Sequence, residues 1–258
     1  MFEISVLASG SSGNCFYIGT DKADILIDAG ISCRQICQRL EKIGKNIQNI
    51  QGIFITHEHT DHIQGIDVLN RRYNIPIYLN KGTLDHCSLS ITNAQIIKTD
   101  KAFNFRGLQI VPFAKSHDAH EPVSYLIINE GKKVGVITDV GYCCDNVKYS
   151  LQECDVVILE ANHDIEMLHN GPYPPYLKKR IAGTHGHLSN HDAAMAVFEH
   201  ASKNLRHALL SHLSLYNNTP ECALQTFTSI IKQRDDLKHL KTQLSYRGEP
   251  TELIRLGT

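Results

Sequence analysis

Several common features are missing from this chain of 258 residues, and each absence excludes a class of protein. No apolar run approaches the roughly 18 residues that a membrane-spanning helix needs, so no membrane partner is expected. The N-terminal "MFEISVLASGSSGN" is typical of a strand and a turn, and not of a signal peptide. The formal net charge of −1 gives no overall basic field, so contact with nucleic acid has to come from a local patch.

The eight cysteines form no disulfide or zinc framework. Cys33 and Cys37 are four residues apart in a predicted helix, Cys143 and Cys144 are adjacent, and no C-x-x-C motif occurs. Free thiols in a reducing cytosol are the simplest interpretation, so we expect a cytoplasmic protein. Repeats, low-complexity blocks and linkers are also absent, which predicts a single domain over residues 1–258.

Short apolar runs rich in isoleucine and valine predict β-strands. They are "FEISVLA", "ADILIDA", "GIFIT", "LQIVPF", "VSYLIIN", "KKVGVIT" and "DVVILE". A hairpin turn is expected at Asn129–Gly131. Helical periodicity spans Ser32 to Gly44, and "IQGIDVLNRRYN", "NHDAAMAVFEHASKN" and "PECALQTFTSIIKQR" also predict helices. The mixture indicates sheets covered by helices, in an α/β or α+β layered domain.

Fifteen histidines are unusual for this length and indicate metal binding or proton transfer. The densest group is in "GIFITHEHTDHIQGI", where a strand is expected to end at Thr56 and a helix to begin near Ile63. The connection carries four candidate ligands: His57, His59, Asp61 and His62. Three imidazoles and a carboxylate within six residues suit a divalent ion such as Zn²⁺ or Mn²⁺.

Four ligands cannot complete two metal sites, so other strand ends should supply more. His117, Asp139 and His212 each follow an apolar strand, and His120 is the main alternative to His117. The expected distribution is His57, His59 and His117 on one cation, Asp61, His62 and His212 on the other, and Asp139 shared. Open coordination positions would remain for water and substrate, as a catalytic site requires.

This ordered ligand set resembles that of the metallo-β-lactamase fold superfamily, with Asp28 in "LIDAG" as its first motif. The resemblance covers nearly the whole chain. It implies a four-layer αββα sandwich, a dinuclear site at one edge between the sheets, and an orienting role for Asp28. The motifs "LASGSSGNCFYI", "HDAHEPVSY", "EANHD", "YPPYLKKRI", "GHLSN" and "SHLS" resemble the YycJ/WalJ group of nucleases of this fold. That group implies a 5′-to-3′ exonuclease acting on duplex DNA ends.

The chemistry of a phosphodiesterase fits these residues. Two cations would activate a water as the nucleophile, with Asp61 orienting it or taking its proton. The leaving oxygen then needs a proton donor that binds no metal. Glu160 and His187, in "LEAN" and "GHLS", fall at places that resemble a looser ribonuclease Z pattern. A carboxylate orients an imidazole and favours its charged form, so this pair is the expected donor.

Substrate contacts are expected from the basic run in front of "GHLSN" and from the residue that closes that motif. The candidates are Lys178, Lys179, Arg180 and Asn190. The basic run could equally be a solvated helix face. Tyr173 and Tyr176 offer stacking surfaces or simple packing. His185 and His191 are weaker candidates, and Ser189 is expected to cap a helix with Asp192 three residues later.

Two other functions stay open at the level of sequence. One is a small-molecule hydrolase of the same fold that cleaves a cyclic phosphodiester, thioester or lactone, for which a closed apolar pocket would be expected. The other is a metal-binding regulator without enzymatic activity. The complete ligand set and the additional proton donor favour an enzyme.

Overall fold

A computed structural model describes residues 1–257 and contains two seven-stranded sheets. The first sheet has the order β14-β1-β2-β3-β4-β5-β6. Its strands are β1 Phe2–Ala8, β2 Cys15–Gly19, β3 Asp24–Ile27, β4 Ile50–Phe54, β5 Ile77–Leu79, β6 Ala94–Ile96 and β14 Ile254–Leu256. The second has the order β13-β12-β11-β10-β9-β8-β7. Its strands are β7 Phe103–Phe105, β8 Leu108–Ala114, β9 Val123–Asn129, β10 Lys132–Ile137, β11 Val156–Glu160, β12 His207–Ser211 and β13 Lys241–Leu244.

The two sheets share one pattern of strand directions. Neighbours from β14 to β3 and from β7 to β10 are antiparallel, whereas those from β3 to β6 and from β10 to β13 are parallel. Parallel strands bring their carboxyl ends to the same edge of a sheet. His57, Asp139 and His212 follow strands of these parallel runs, and His117 follows β8, which points in the same direction as β10, so one edge of each sheet collects the predicted ligands.

Helices cover the outer faces of both sheets or lie at the edge that carries the candidate ligands. They are α1 Cys33–Lys42, α2 Thr60–Ile63, α3 Ile66–Tyr73, α4 Lys81–His86, α5 Asp145–Glu153, α6 Ile165–Asn170, α7 Pro175–Ile181, α8 Asn190–His200 and α9 Pro220–Ile231. Two 3₁₀ turns span Ile47–Asn49 and Asp235–Leu237. None of the helices within residues 1–257 is long and apolar enough to cross a bilayer.

Alternating side chains of the strands build the layers. In β11, Val156 and Ile158 enter the core between the two sheets, whereas Val157 and Leu159 pack against the outer helices of the second sheet. A third cluster lies between the first sheet and its helices, and includes Leu26 of β3. Both faces of the central strands are therefore buried, which explains their continuous apolar runs. The predicted αββα sandwich is confirmed.

Local backbone signals match the predicted element ends. Ser32 caps α1 in a reciprocal capping box with Gln35. Gly44, with φ of 73°, closes the same helix: its N–H donates to Glu41 and that of Lys45 donates to Leu40. Between β9 and β10, the two loop residues Glu130 and Gly131 both have positive φ, as a tight hairpin of this length requires.

The segment after β4 differs from the prediction. The strand ends at Phe54 and not Thr56, and the helix begins at Thr60 and not near Ile63, so Asp61 lies in its first turn. The predicted helix "IQGIDVLNRRYN" is broken between Ile63 and Ile66. Gly65 causes the break, because its N–H donates to the Ala29 carbonyl and a Cβ there would lie 2.4 Å from a backbone oxygen.

Candidate metal centre

The candidate ligands converge at one edge between the two sheets, where strand ends hold them in unusual backbone conformations. Asp28 follows β3, Asp139 lies two residues after β10, and His212 follows β12. Their φ angles are 59°, 56° and 58°. Positive φ is unfavourable for residues with a Cβ, and it persists where the surrounding fold imposes it, often at functional sites.

Three histidines form the first half of the site. His57 and His59 come from the loop after β4, and His117 comes from the loop after β8. Each offers a ring nitrogen within 4.8 Å of the other two. The Nε2 of His57 lies 3.0 Å from the Nδ1 of His59. Three imidazoles at this spacing can hold one divalent cation.

The second half contains Asp61, His62 and His212. The Oδ2 of Asp61 lies 3.6 Å from the Nε2 of His62 and 3.8 Å from the Nε2 of His212. Asp139 lies between the halves, with Oδ2 3.3 Å from His62 Nε2 and Oδ1 3.9 Å from His117 Nε2. The structure thus brings together all seven residues of the predicted ligand set, with the shared carboxylate in the middle.

Unpaired buried atoms show that this cluster fits cations. Within residues 1–257, His117 Nε2, Asp139 Oδ2 and His212 Nε2 are buried without a hydrogen-bond partner. Leaving such an atom unpaired costs about 1–3 kcal/mol. All three are electron-pair donors of the kind that Zn²⁺ or Mn²⁺ accepts. Cations in the two halves, with Asp139 between them, would satisfy all three atoms.

Asp28 supports the ligands from behind. Its Oδ2 lies 2.7 Å from His62 Nδ1, and its two oxygens also accept from the backbone N–H and the hydroxyl of Thr56. Since the Nδ1 of His62 is held in this way, its Nε2 is left to face the site. Gly30 completes the support, because a Cβ at that position would lie 1.6 Å from the Asp61 carbonyl.

Glu160 connects the metal cluster to a histidine outside the ligand set. Its Oε1 lies 2.7 Å from His187 Nδ1 and 2.8 Å from His212 Nδ1. Its Oε2 accepts from the backbone N–H groups of Val140 and Leu188. Burial raises the pKa of Glu160, but the charges and hydrogen bonds of the two histidines outweigh it and lower the pKa to about 2. Glu160 is thus an anion whose oxygens are already occupied, which makes it an orienting group.

The histidines differ in charge state before any cation binds. Burial holds the pKa of His57 well below its usual value and lowers that of His117 to about 3. Burial also acts to lower the pKa of His62 and His212, but the surrounding carboxylates, Asp139 first, outweigh it and raise both. Cation binding requires neutral imidazoles, so protons must leave the second half of the site.

The predicted substrate residues occupy different surfaces. Arg180 lines the metal pocket and forms an ion pair with Asp118 at 2.9 Å. Lys178 and Lys179 lie on the other face of α7, away from the metal pocket. Asn190 is 2% exposed and its amide is paired with that of Asn218, so its assignment to substrate binding is corrected to a structural contact.

The remaining candidate residues differ in their exposure and in their distance from the metal cluster. His120 is exposed and hydrogen-bonded to Glu58, apart from the cluster that His117 joins. Tyr173 and His185 line the metal pocket. The side chain of Tyr176 is 75% exposed. Ser189 caps α8 by accepting from Asp192 N–H, as predicted, but the Asp192 carboxylate accepts from the serine hydroxyl instead of from the cap backbone.

Sequence reasoning missed two supporting residues. The side-chain Nδ2 of Asn14 lies 3.2 Å from His62 Nε2 and 3.4 Å from Asp61 Oδ2. The "SGSSGN" turn therefore contacts the site as well as joining two strands. Lys115 is 7% exposed and donates to the Thr138 carbonyl. Burial lowers its pKa, against the nearby carboxylates. Nothing in the local sequence distinguishes this lysine from a surface one.

Comparison with known proteins agrees with this geometry. Residues 23–213 match the model of the β-lactamase superfamily domain. The chain belongs to the β-lactamase superfamily. It is 39% identical over 240 residues to the exodeoxyribonuclease YycJ of Bacillus anthracis, covering 90% of each chain. It is 38% identical over 241 residues to the exodeoxyribonuclease WalJ of Streptococcus pneumoniae, covering 91% of this chain and 90% of the relative. The resemblance to the YycJ/WalJ group is confirmed, and the chain is a metal-dependent hydrolase.

Solved structures share the fold over nearly the full length. The metallo-β-lactamase fold protein YhfI of Bacillus subtilis has a TM-score of 0.75 at 13% identity, covering 97% of this chain and 98% of the other. Zn²⁺-bound PqqB of Methylobacterium extorquens has a TM-score of 0.71 at 14% identity, covering 98% and 100%. At these identities the likeness supports the fold alone.

Proposed function

We propose that this protein is a phosphodiesterase that uses two divalent cations to remove nucleotides from the 5′ end of DNA. The observation that carries the proposal is the shared carboxylate oxygen of Glu160. It holds a ligand histidine, His212, and a histidine outside the ligand set, His187, in one cleft. The names of the relatives, both exodeoxyribonucleases, support DNA as the substrate.

Different residues act on the attacking side and on the leaving side of the phosphate. Two bound cations would polarise the phosphodiester and lower the pKa of the attacking water. On the attacking side, the partly exposed Asp61 orients this water and takes its proton. On the other side, His187 is oriented through Nδ1 by Glu160 and presents its opposite nitrogen to the leaving oxygen.

The bond that breaks determines the products. A bond forms between the water oxygen and phosphorus, and the bond from phosphorus to the 3′ oxygen breaks. His187 gives its proton to that 3′ oxygen, while the proton of the water goes to Asp61. The released nucleotide carries a 3′-hydroxyl, and the remaining strand carries a 5′-phosphate.

A panel of substrates tests the proposal. The metal-loaded protein is incubated with labelled duplex DNA, single-stranded DNA, RNA and bis-p-nitrophenyl phosphate, alongside Asp61→Ala. We expect cleavage of duplex DNA by the wild type and none by the variant. Turnover of the small ester without cleavage of any polymer would support a small-molecule hydrolase instead. Bound metal without hydrolysis of any phosphodiester would support a metal-binding regulator.

A further inference from the structure

A second cavity lies beside the metal pocket, on the opposite face of α7. It is open to solvent and has a volume of about 440 Å³, within the range of roughly 300–1,000 Å³ for small-molecule sites. The metal pocket encloses only about 250 Å³. Leu177 and Arg180 face the metal pocket, whereas Lys178, Lys179 and Ala182 face the second cavity. The helix therefore contributes residues to both cavities.

His187 lies at the boundary and lines both cavities. The metal pocket is too small to hold a phosphodiester together with the nucleosides on both of its sides. The group bonded to the leaving oxygen must start next to the residue that protonates this oxygen. The second cavity, a groove open to solvent that His187 also lines, meets this requirement.

The lining of the second cavity suits a nucleotide. Ile165 and Leu168 offer apolar surface for a base or a sugar. Lys178 donates to the His169 carbonyl, and neither Lys178 nor Lys179 forms an ion pair with a carboxylate in the described part of the chain, so both charges can attract a phosphate. The Asp192 carboxylate also lines this cavity. His163 also lines the cavity; it is 3% exposed, and its Nδ1 has no hydrogen-bond partner within residues 1–257.

We propose that this cavity binds the nucleotide that carries the leaving oxygen, which is the 5′-terminal nucleotide of the cleaved strand. The inference rests on the proposed function, because His187 identifies the leaving side. The base lies on the apolar surface, and the 5′-phosphate of that nucleotide contacts the two lysines. The groove has room for one nucleotide next to His187, so we expect cleavage to release one nucleotide at a time.

Filling the cavity tests the inference. Ala182→Phe adds a ring at an exposed position of the cavity lining, and Ala102→Phe, at an exposed position outside the lining, is the matched control. Binding of deoxyadenosine 5′-monophosphate and kcat/KM on 5′-phosphorylated duplex DNA are measured for the metal-loaded proteins. We expect Ala182→Phe to weaken both by about tenfold or more and the control to match the wild type. Wild-type binding and cleavage by Ala182→Phe would overturn the inference.

The lysines give a second measurement that does not depend on cavity filling. In Lys178→Gln/Lys179→Gln, the ratio of kcat/KM on 5′-phosphate ends to that on 5′-hydroxyl ends should fall about tenfold. An unchanged ratio would contradict the phosphate contact. A wild-type protein that cleaves no DNA would refute the proposed function, whereas DNA cleavage with unchanged nucleotide binding in Ala182→Phe would refute this inference alone, so the two failures are distinguishable.

Discussion

Replacing Glu160 by glutamine should damage metal binding and catalysis together. The carboxylate has four hydrogen-bond donors around it, two imidazole N–H groups on Oε1 and two backbone N–H groups on Oε2. An amide presents one acceptor and one donor group, so it cannot satisfy both pairs. If the amide nitrogen faces the histidines, their protons must move to Nε2, and His212 loses the electron pair that a cation needs.

If the amide nitrogen instead faces Val140 and Leu188, two buried N–H groups lose their acceptor. Each costs about 1–3 kcal/mol, so at least about 2 kcal/mol is lost, which for a chain of this size lowers Tm by at least about 4 °C. Because Glu160 orients the candidate ligand His212 by a hydrogen bond to its Nδ1, cation affinity should fall about 10–100-fold in Glu160→Gln. Metal titration, bound-metal counting by mass spectrometry and kcat on DNA measure these effects. Glu41→Gln, on the exposed face of α1, is the control. Unchanged affinity with unchanged kcat in Glu160→Gln would refute the reasoning.

Three further predictions follow from the same geometry. His187→Ala should keep both cations but lose about 10²–10⁴-fold in kcat on DNA, and much less on bis-p-nitrophenyl phosphate, because the leaving group of this ester needs no proton. Equal losses of kcat on both substrates would contradict a proton-donor role. Because the pKa values of His62 and His212 are raised, cation binding near neutral pH should release protons and weaken as pH falls. Calorimetry in buffers of different ionisation enthalpy measures the number of protons released, and binding without proton release would be the contrary result. Gly30→Ala should lower metal affinity and thermal stability, whereas Gly248→Ala should change neither, because a Cβ at Gly248 meets no atom within 4 Å. Similar melting curves for the two variants would count against the close approach of Gly30 to the Asp61 carbonyl.

Much of the metal site was predictable because its ligands follow apolar strands. The dense "HEHTDH" segment indicated four candidate ligands locally, and strand ends at Asp139 and His212 indicated other candidates that only the fold brings together. The αββα layers followed from the resemblance, while the short apolar strands indicated only sheets covered by helices. These features depend on local patterns and on where strands end, which a sequence records directly.

What the sequence did not indicate depends on contacts between distant segments. The basic run divides between two faces of α7, so Arg180 faces the metal pocket while Lys178 does not. Asn190 is buried by its amide pair with Asn218, which lies 28 residues away. The burial of Lys115 depends on how β8 packs near the end of β10. No local periodicity contains such information.

The most direct measurement is the first product released from duplex DNA that carries a label on its 5′-terminal nucleotide. The metal-loaded protein should release labelled mononucleotide as the earliest product, and shortened strands that retain a 5′-phosphate should follow. Release of longer labelled fragments, digestion from the 3′ end, or no cleavage while the small ester is hydrolysed would contradict the assignment of this edge of the sandwich to 5′-terminal DNA cleavage.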